Sequence, residues 1–243
     1  MADTDVIEAI MGRQVRHAPC MVCGNADHDV LWTKDQFQYV RCSGCRSVRV
    51  DPQLLMSEVA RIYSIGYRNK QGLQPASQTA SPYHKGLLKQ MSPYRQAGCI
   101  LDVGCFTGKF LSAAKEAGWR PYGLEISTEA VEYARNRLDL DVRQETLLLT
   151  TLESGTFDAI TMFDVVEHFQ EPLLNLKAAA QLLRPNGLLY IETPNFSSLA
   201  RHLLGKDWSV FFPWHFYYFT ARTIGHVLER AGFRVVKLSL IHI

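Results

Sequence analysis

From about residue 84 onward, short apolar runs alternate with stretches of helical spacing, and this alternation restricts the fold more than any other feature of the chain. The spacing predicts strands at Cys99–Val103, Tyr122–Glu125, Asp141–Arg143, Phe157–Phe163, Leu188–Glu192 and Phe233–Leu240. It predicts helices at Lys109–Ala117, Thr128–Leu138, Pro172–Leu183 and Ala221–Ala231. Strands separated by helices pair in parallel, because each helix carries the chain back across one face of the sheet. The expected architecture is therefore an α/β, doubly wound, mostly parallel sheet. Ligands of such sheets sit outside the carboxyl ends of the strands.

The first strand, Ile100-Leu101-Asp102-Val103, runs into the turn Gly104-Cys105-Phe106-Thr107-Gly108 and then into a helix. Gly104 lets the main chain approach a ligand closely, and Gly108 lets the helix start pack near the strand. Glu125 ends the second strand, 23 residues after Asp102. An acid there can accept hydrogen bonds from both hydroxyls of a ribose. A dinucleotide would place its pyrophosphate at a helix N-terminus. The acid Asp102 beside this turn suits a cationic sulfonium amino acid better.

Ahead of this region stand Cys20-x2-Cys23 and Cys42-x2-Cys45, separated by 18 residues. Two such pairs match a tetrahedral structural zinc with no open coordination position. Gly24 and Gly44 supply backbone freedom for the two turns. A module this small has little core, so the metal would supply much of its folding energy. Cys99 and Cys105 read as packing residues. The linear division is an N-terminal arm and zinc module at 1–69, with a loose arm over 1–16, a Gln/Ser/Ala/Pro-rich linker at 70–83, and the α/β domain at 84–243.

Composition weighs against several function classes. The 243 residues carry a net charge of +2, and residues 1–70 hold nine Lys/Arg against eight Asp/Glu. That is a poor footprint for nucleic acid, which favours a basic excess. No stretch approaches the roughly 20 apolar residues of a membrane span. The acidic start (Asp3, Asp5, Glu8) does not resemble a signal peptide. A cytoplasmic location is expected, with thiols reduced.

The segments LDVGCFTGKFL, YGLEIS, FDVVEHFQEP and LLRPNGLLYIETPN together resemble class I S-adenosylmethionine-dependent methyltransferases, which have a Rossmann-like fold. The resemblance covers residue 84 to the end. It implies that Asp102, Gly104, Phe106 and Gly108 line the methionine end of the donor. Glu125 would hold the ribose, Ile126 would lie beside the adenine, and Phe163 and Asp164 would close the pocket. The family's usual turn has glycine where this chain has Phe106. The whole chain also resembles a narrower group, in which a four-Cys zinc-ribbon-like module precedes the domain and which includes C-methyltransferases of nucleotide-linked deoxysugars. Members share Glu167-His168 and a later His before an aromatic run, here His215 to Thr220. Trp214 and Phe212 stand where sugar-methylating members commonly have an acid and a Tyr, and their further C-terminal domain is absent. The class I sheet usually ends with a hairpin to a seventh, antiparallel strand; this chain stops at about the sixth.

Methyl transfer from a sulfonium is an in-line displacement, so alignment dominates. An alcohol or acidic carbon acceptor also needs a general base. His168 and His215 are the candidates, and Glu167 either orients His168 or holds a metal. Each histidine has an ordinary alternative, as a helix-start or core residue. Tyr63 and Tyr67 are further candidates for the donor side. The expected function is methyl transfer to a small-molecule acceptor such as a nucleotide-linked sugar or other hydroxylated metabolite. The alternatives are a degenerate methyltransferase fold that binds without chemistry, and an RNA methyltransferase. The oligomeric state is not legible.

Overall fold

The structure, a computed structural model, describes residues 15–34, 36–69 (main chain only for 63–69) and 81–240. Most of the expected arm, the linker from 70 to 80 and the side chains of Tyr63 and Tyr67 lie outside the described residues.

In chain order the elements are β1 (Val15–Arg16), β2 (His28–Lys34), β3 (Phe37–Cys42), β4 (Val48–Asp51), β5 (Gln53–Leu54), α1 (Met56–Asn69) and α2 (Pro82–Met91). Then follow β6 (Cys99–Val103), α3 (Lys109–Glu116), β7 (Arg120–Leu124), α4 (Thr128–Leu138), β8 (Asp141–Arg143), β9 (Phe157–Phe163), α5 (Pro172–Leu182) and β10 (Leu183–Glu192). The last are α6 (Leu199–Leu204), β11 (Tyr217–Tyr218) and α7 (Ala221–Arg230).

The chain divides into two compact units. One joins Tyr63–Phe163 with Ala178–Glu192. It holds a five-stranded sheet in the order β10-β9-β6-β7-β8, parallel at every pair. The order reverses at β6, which makes its carboxyl end the switch point where doubly wound sheets bind ligands. All five residues of β6 are buried, as a central strand covered on both faces requires. Ile100, Leu111, Cys105, Val142 and Trp119 belong to one apolar core with α2 residues Leu87, Leu88 and Met91. Ser127 caps α4 by accepting the Ala130 amide, and Asp139 ends it in the left-handed conformation, which Asp tolerates better than most residues.

The other unit joins the N-terminal part up to Ile62 with Asp164–Lys177 and Thr193 onward. Its antiparallel sheet has the order β11-β4-β3-β2. Thus Tyr217 and Tyr218, far along the chain, pair with Arg49 and Val48. The compact units do not follow the linear division at 70–83, because the aromatic segment before α7 completes the sheet of the cysteine module. Tyr39, Phe211 and Tyr218 pack ring against ring there, with centroids 5.0–5.6 Å apart. A second, two-stranded ribbon pairs β1 with β5.

One expected strand does not form. Residues 233–240 are irregular and pair with no strand among the described residues. Val236 is 61% exposed and Leu240 48%. Their β-branched pattern fits a pleated surface, but a pattern makes a strand only where a partner edge supplies hydrogen bonds. Val235 and Val236 adjoin, so the segment also lacks the clean alternation that would specify one register. β10 is an edge strand of the parallel sheet.

Candidate functional site

The turn after β6 is built from residues in the left-handed backbone region: Gly104 (φ 70°), Phe106 (φ 50°) and Gly108 (φ 82°). Phe106 holds the glycine-like conformation without being glycine, at a cost of about 1–2 kcal/mol. The backbone shape expected of a glycine there is thus retained, and the ring is 43% exposed. Gly108 cannot be replaced freely, since a Cβ would come within 2.4 Å of Leu140 Cδ1.

Glu125 pins this turn. Its carboxylate accepts the amides of Phe106 (2.9 Å), Ile126 (2.8 Å) and Ser127 (2.9 Å) and is 6% exposed. The sequence reading gave Glu125 a ligand; the structure gives it three backbone donors, which fix the two loops after β6 and β7 against each other. Asp102, 3% exposed, accepts a hydrogen bond from Thr161 Oγ1 at 2.7 Å. Burial pushes its carboxyl up to about 7, the nearby charge of Glu125 pushes the same way, and the Thr161 bond opposes both. Neither acid has a cationic partner among the described residues. Two buried acids without counter-charge beside a left-handed turn fit a cationic sulfonium amino acid.

Phe163 ends β9 and packs on Phe110 at 5.0 Å and Tyr190 at 5.7 Å. The half-buried Ile126 follows Glu125. Parallel register places Asp102, Thr161 and Tyr190 in one row on one face of the sheet. Sequence reasoning missed the polar relay on that face. Tyr190 donates to Glu192 at 2.5 Å, and Tyr83 on α2 meets the Tyr190 hydroxyl at 2.9 Å. The signal was available: Tyr190 and Glu192 alternate on a strand that ends at the ligand edge.

In the other unit Asp164 opens the loop in the left-handed conformation (φ 50°) and is exposed. Three residues later Glu167 and His168 occupy one helical turn. The structure brings His215 to them. The rings of His168 and His215 lie edge to face at 4.5 Å, and donor atoms of Glu167, His168 and His215 all lie within 4.8 Å of one another. Glu167 Oε2 accepts from Thr193 Oγ1 at 3.0 Å. His168 Nδ1 lies 3.0 Å from the Trp214 carbonyl oxygen, so this nitrogen carries the proton and Nε2 the lone pair. Burial pushes Glu167 up to about 8 and His168 down to about 4; burial and the His168 neighbour push His215 down to about 3. Both imidazoles are therefore neutral bases at physiological pH, as proton abstraction requires.

The four module cysteines converge in the same unit. Cys20 Sγ lies 3.6 Å from Cys45 Sγ, Cys23 Sγ lies 3.4 Å from Cys42 Sγ, and all four lie within 4.8 Å of one another. Zinc–sulfur bonds of about 2.3 Å in a tetrahedron place sulfurs about 3.8 Å apart, so the set fits the metal. Without a cation the thiols are electrostatically linked, the hydrogen bond from Cys20 drawing Cys45 down to about 4. Gly24 takes positive φ as expected, but in the second knuckle Arg46 (φ 65°) does so, not Gly44. Gly44 is needed for closeness: a Cβ there would meet Asn25 Nδ2 at 3.0 Å.

Among the described residues no helix is long and apolar enough to cross a membrane. Comparison with known proteins agrees with the geometry of the parallel sheet. The chain is similar to the ubiquinone biosynthesis O-methyltransferase of Actinobacillus pleuropneumoniae, 35% identical over 106 residues, which is 40% of this chain and 45% of that one. It is also similar to the protein of the same name from Xanthomonas campestris, 32% identical over 107 residues, 42% of this chain and 45% of that one. The matches thus span about half the length of these relatives. Among solved structures, a SAM-dependent methyltransferase from Archaeoglobus fulgidus shares the fold with a TM-score of 0.55 at 24% identity, covering 72% of this chain and 76% of that one. A SAM-dependent methyltransferase from Thermotoga maritima gives a TM-score of 0.55 at 20% identity, covering 74% and 82%. A family model described as a methyltransferase domain matches residues 76–238, most of the chain, and the chain belongs to that family.

Proposed function

We propose that the protein transfers the methyl group of S-adenosylmethionine to an oxygen of a small hydroxylated acceptor. The carrying observation is the turn from Asp102 to Gly108, locked by Glu125, with two buried acids that have no counter-charge among the described residues at the switch point of the sheet. Asp102 would take the donor's ammonium and Glu125 a ribose hydroxyl, with Gly104, Phe106 and Gly108 along the methionine end, Ile126 at the adenine, and Phe163 and Asp164 at the pocket's rim. The bound donor supplies an electrophilic methyl carbon whose bond to sulfur breaks as the bond to the acceptor forms. His168 and His215 are the groups for the acceptor's proton, with the Glu167 carboxylate within 4.8 Å of their ring nitrogens. The name of the quinone-pathway relatives attaches O-methylation to them, which supports an oxygen acceptor here. A nucleotide-linked sugar hydroxyl and a phenol are the acceptor classes to try first. Cys20, Cys23, Cys42 and Cys45 would hold a structural zinc, since four thiolates leave no coordination position for chemistry.

The test is calorimetric titration of zinc-replete protein with S-adenosylhomocysteine, beside Glu125→Gln and Asp102→Asn variants. Binding that either variant weakens tenfold or more supports the donor site. A folded wild type that binds neither S-adenosylhomocysteine nor S-adenosylmethionine refutes it. With binding in hand, acceptor turnover unchanged in both His168→Asn and His215→Asn would remove the histidines from the mechanism.

A further inference from the structure

Arg49, in β4, is 2% exposed and carries a charge that nothing described so far uses. Its Nη2 donates to the Ala18 carbonyl at 2.9 Å, while Nη1 is buried and has no hydrogen-bond partner. Among the described residues no carboxylate forms an ion pair with this guanidinium. Asp51, two residues along the same strand, faces His17 at 3.4 Å and His28 at 3.9 Å instead. A guanidinium does not shed its proton in a protein, so burial leaves it in need of an anion. The surroundings of Arg49 point to where that anion lies. Ala18 and Met21 flank Cys20 in the chain. Arg49 holds the Ala18 carbonyl, and Tyr217, its register partner between β4 and β11, accepts the Met21 amide at 2.9 Å. Burial pushes the Tyr217 hydroxyl up, the charges of Cys20 and Cys45 push the same way, and the Arg49 charge opposes them. Two of the four clustered thiols and the guanidinium thus act on one buried oxygen.

We infer that Arg49 is the buried counter-ion of a metal centre formed by Cys20, Cys23, Cys42 and Cys45. Four thiolates around a divalent ion leave the centre with more negative charge than the ion neutralises. The guanidinium offsets part of that excess and gains the anion that no side chain supplies to it among the described residues. Its charge favours thiolates over thiols, and metal binding requires the thiolates. It also lowers the energy of the sulfur lone pairs, as groups outside the ligand set do when they tune a metal. Arg49 therefore acts on the centre as a positioning and tuning residue, without ligating it. The inference rests on reading the four cysteines as a metal site, and it is independent of the methyl-transfer reading.

The experiment combines chelator competition for zinc with the visible and near-ultraviolet spectrum of cobalt(II)-loaded, full-length protein. Arg49→Gln removes the charge and keeps an N–H donor for Ala18, whereas Arg49→Lys keeps the charge. Val50→Ala opens a gap in the same strand without altering charge and controls for general weakening. Zinc affinity is expected to fall at least tenfold in Arg49→Gln and to be largely retained in Arg49→Lys. The sulfur-to-cobalt charge-transfer band is expected to move to longer wavelength in Arg49→Gln, and to stay in place in Arg49→Lys and Val50→Ala. An unmoved band in folded, cobalt-loaded Arg49→Gln overturns the inference whatever the affinity, because lost packing weakens binding without changing the field at the sulfurs. A folded wild type that takes up no zinc, and shows no sulfur charge transfer with cobalt(II), overturns the four-cysteine reading and the role of Arg49 with it. A loaded wild type beside an unmoved variant band overturns the role of Arg49 alone. If Arg49→Gln fails to fold, Arg49→Met replaces it. Failure of both beside a folded, metal-loaded Arg49→Lys shows that the charge is required and supports the inference; failure of all three assigns Arg49 to packing and overturns it.

Discussion

The phenol oxygen of Tyr217 accepts the amide of Met21 at 2.9 Å, joining residues 196 positions apart inside the first cysteine knuckle. Tyr217 is fully buried, and burial pushes its hydroxyl well above the ordinary tyrosine range, so it stays a neutral partner. Tyr217→Phe keeps the ring packing and leaves the Met21 amide without its acceptor. The expected cost is about 1–2 kcal/mol, read as a lower thermal midpoint and faster hydrogen exchange at Met21. An unchanged midpoint and unchanged exchange would show that the bond holds nothing.

Removing metal should matter more. With four sulfurs converging on one point, an apo module keeps thiols that repel as soon as they ionise. A strong chelator is expected to melt the β2–β4 sheet, since structural zinc contributes apparent binding energies on the order of 10 kcal/mol to folding. Circular dichroism during chelation and zinc add-back checks this. A spectrum that ignores the chelator after zinc loss is confirmed by elemental analysis would refute a structural role.

Glu125 serves the turn before it serves a ligand. Glu125→Ala strands three amides in a nearly water-free site, and a loss of about 3 kcal/mol or more is expected. Glu125→Gln keeps the shape and loses the charge, so it should remain folded while binding donor more weakly. Equal donor affinity in the glutamine variant and the wild type would leave Glu125 with a structural role alone.

The Asp102 carboxyl carries the pH dependence. Its folded value, about 7, lies above its ordinary value of 3.8, so the native state holds a proton that the unfolded chain has released. Its contribution to stability is complete below about pH 4 and is lost as pH rises through about 7. Asp102→Asn should flatten that slope in the ligand-free protein and stabilise it on the order of 2 kcal/mol at pH 8. A cationic donor prefers the ionised acid, so affinity for S-adenosylmethionine should rise with pH across the same window and lose that rise in the variant. Midpoints and affinities measured from pH 5 to 8 check both limbs; parallel curves for variant and wild type would contradict them.

The parallel sheet was largely legible because its information is local. Short runs marked β6, β8 and β9 to the residue, and helical spacing marked α4 over Thr128–Leu138. The cysteine spacing announced its own convergence. What could not be read depends on distant pairing. Nothing near Tyr217 says that it adds a strand beside Arg49, and nothing in residues 233–240 says that their apolar side chains find no partner edge. His168 and His215 were each visible as isolated residues on loops, but their edge-to-face contact arises from how 47 positions of chain fold back. The Phe106 turn shows the reverse case: an unfavourable residue is held in the required shape chiefly by the carboxylate of Glu125, which the sequence marks for a ligand and not for this turn.

The pairing of β11 with β4 has a consequence for biosynthesis. During translation the cysteine knuckles leave the ribosome long before Tyr217 and Tyr218 exist, so the nascent module waits with an open strand edge and uncovered aromatic rings. Early capture of a zinc ion by the four cysteines would be one step open to it in that interval. It would shield the thiols from oxidation and hold the half-built sheet in register until its closing strand arrives.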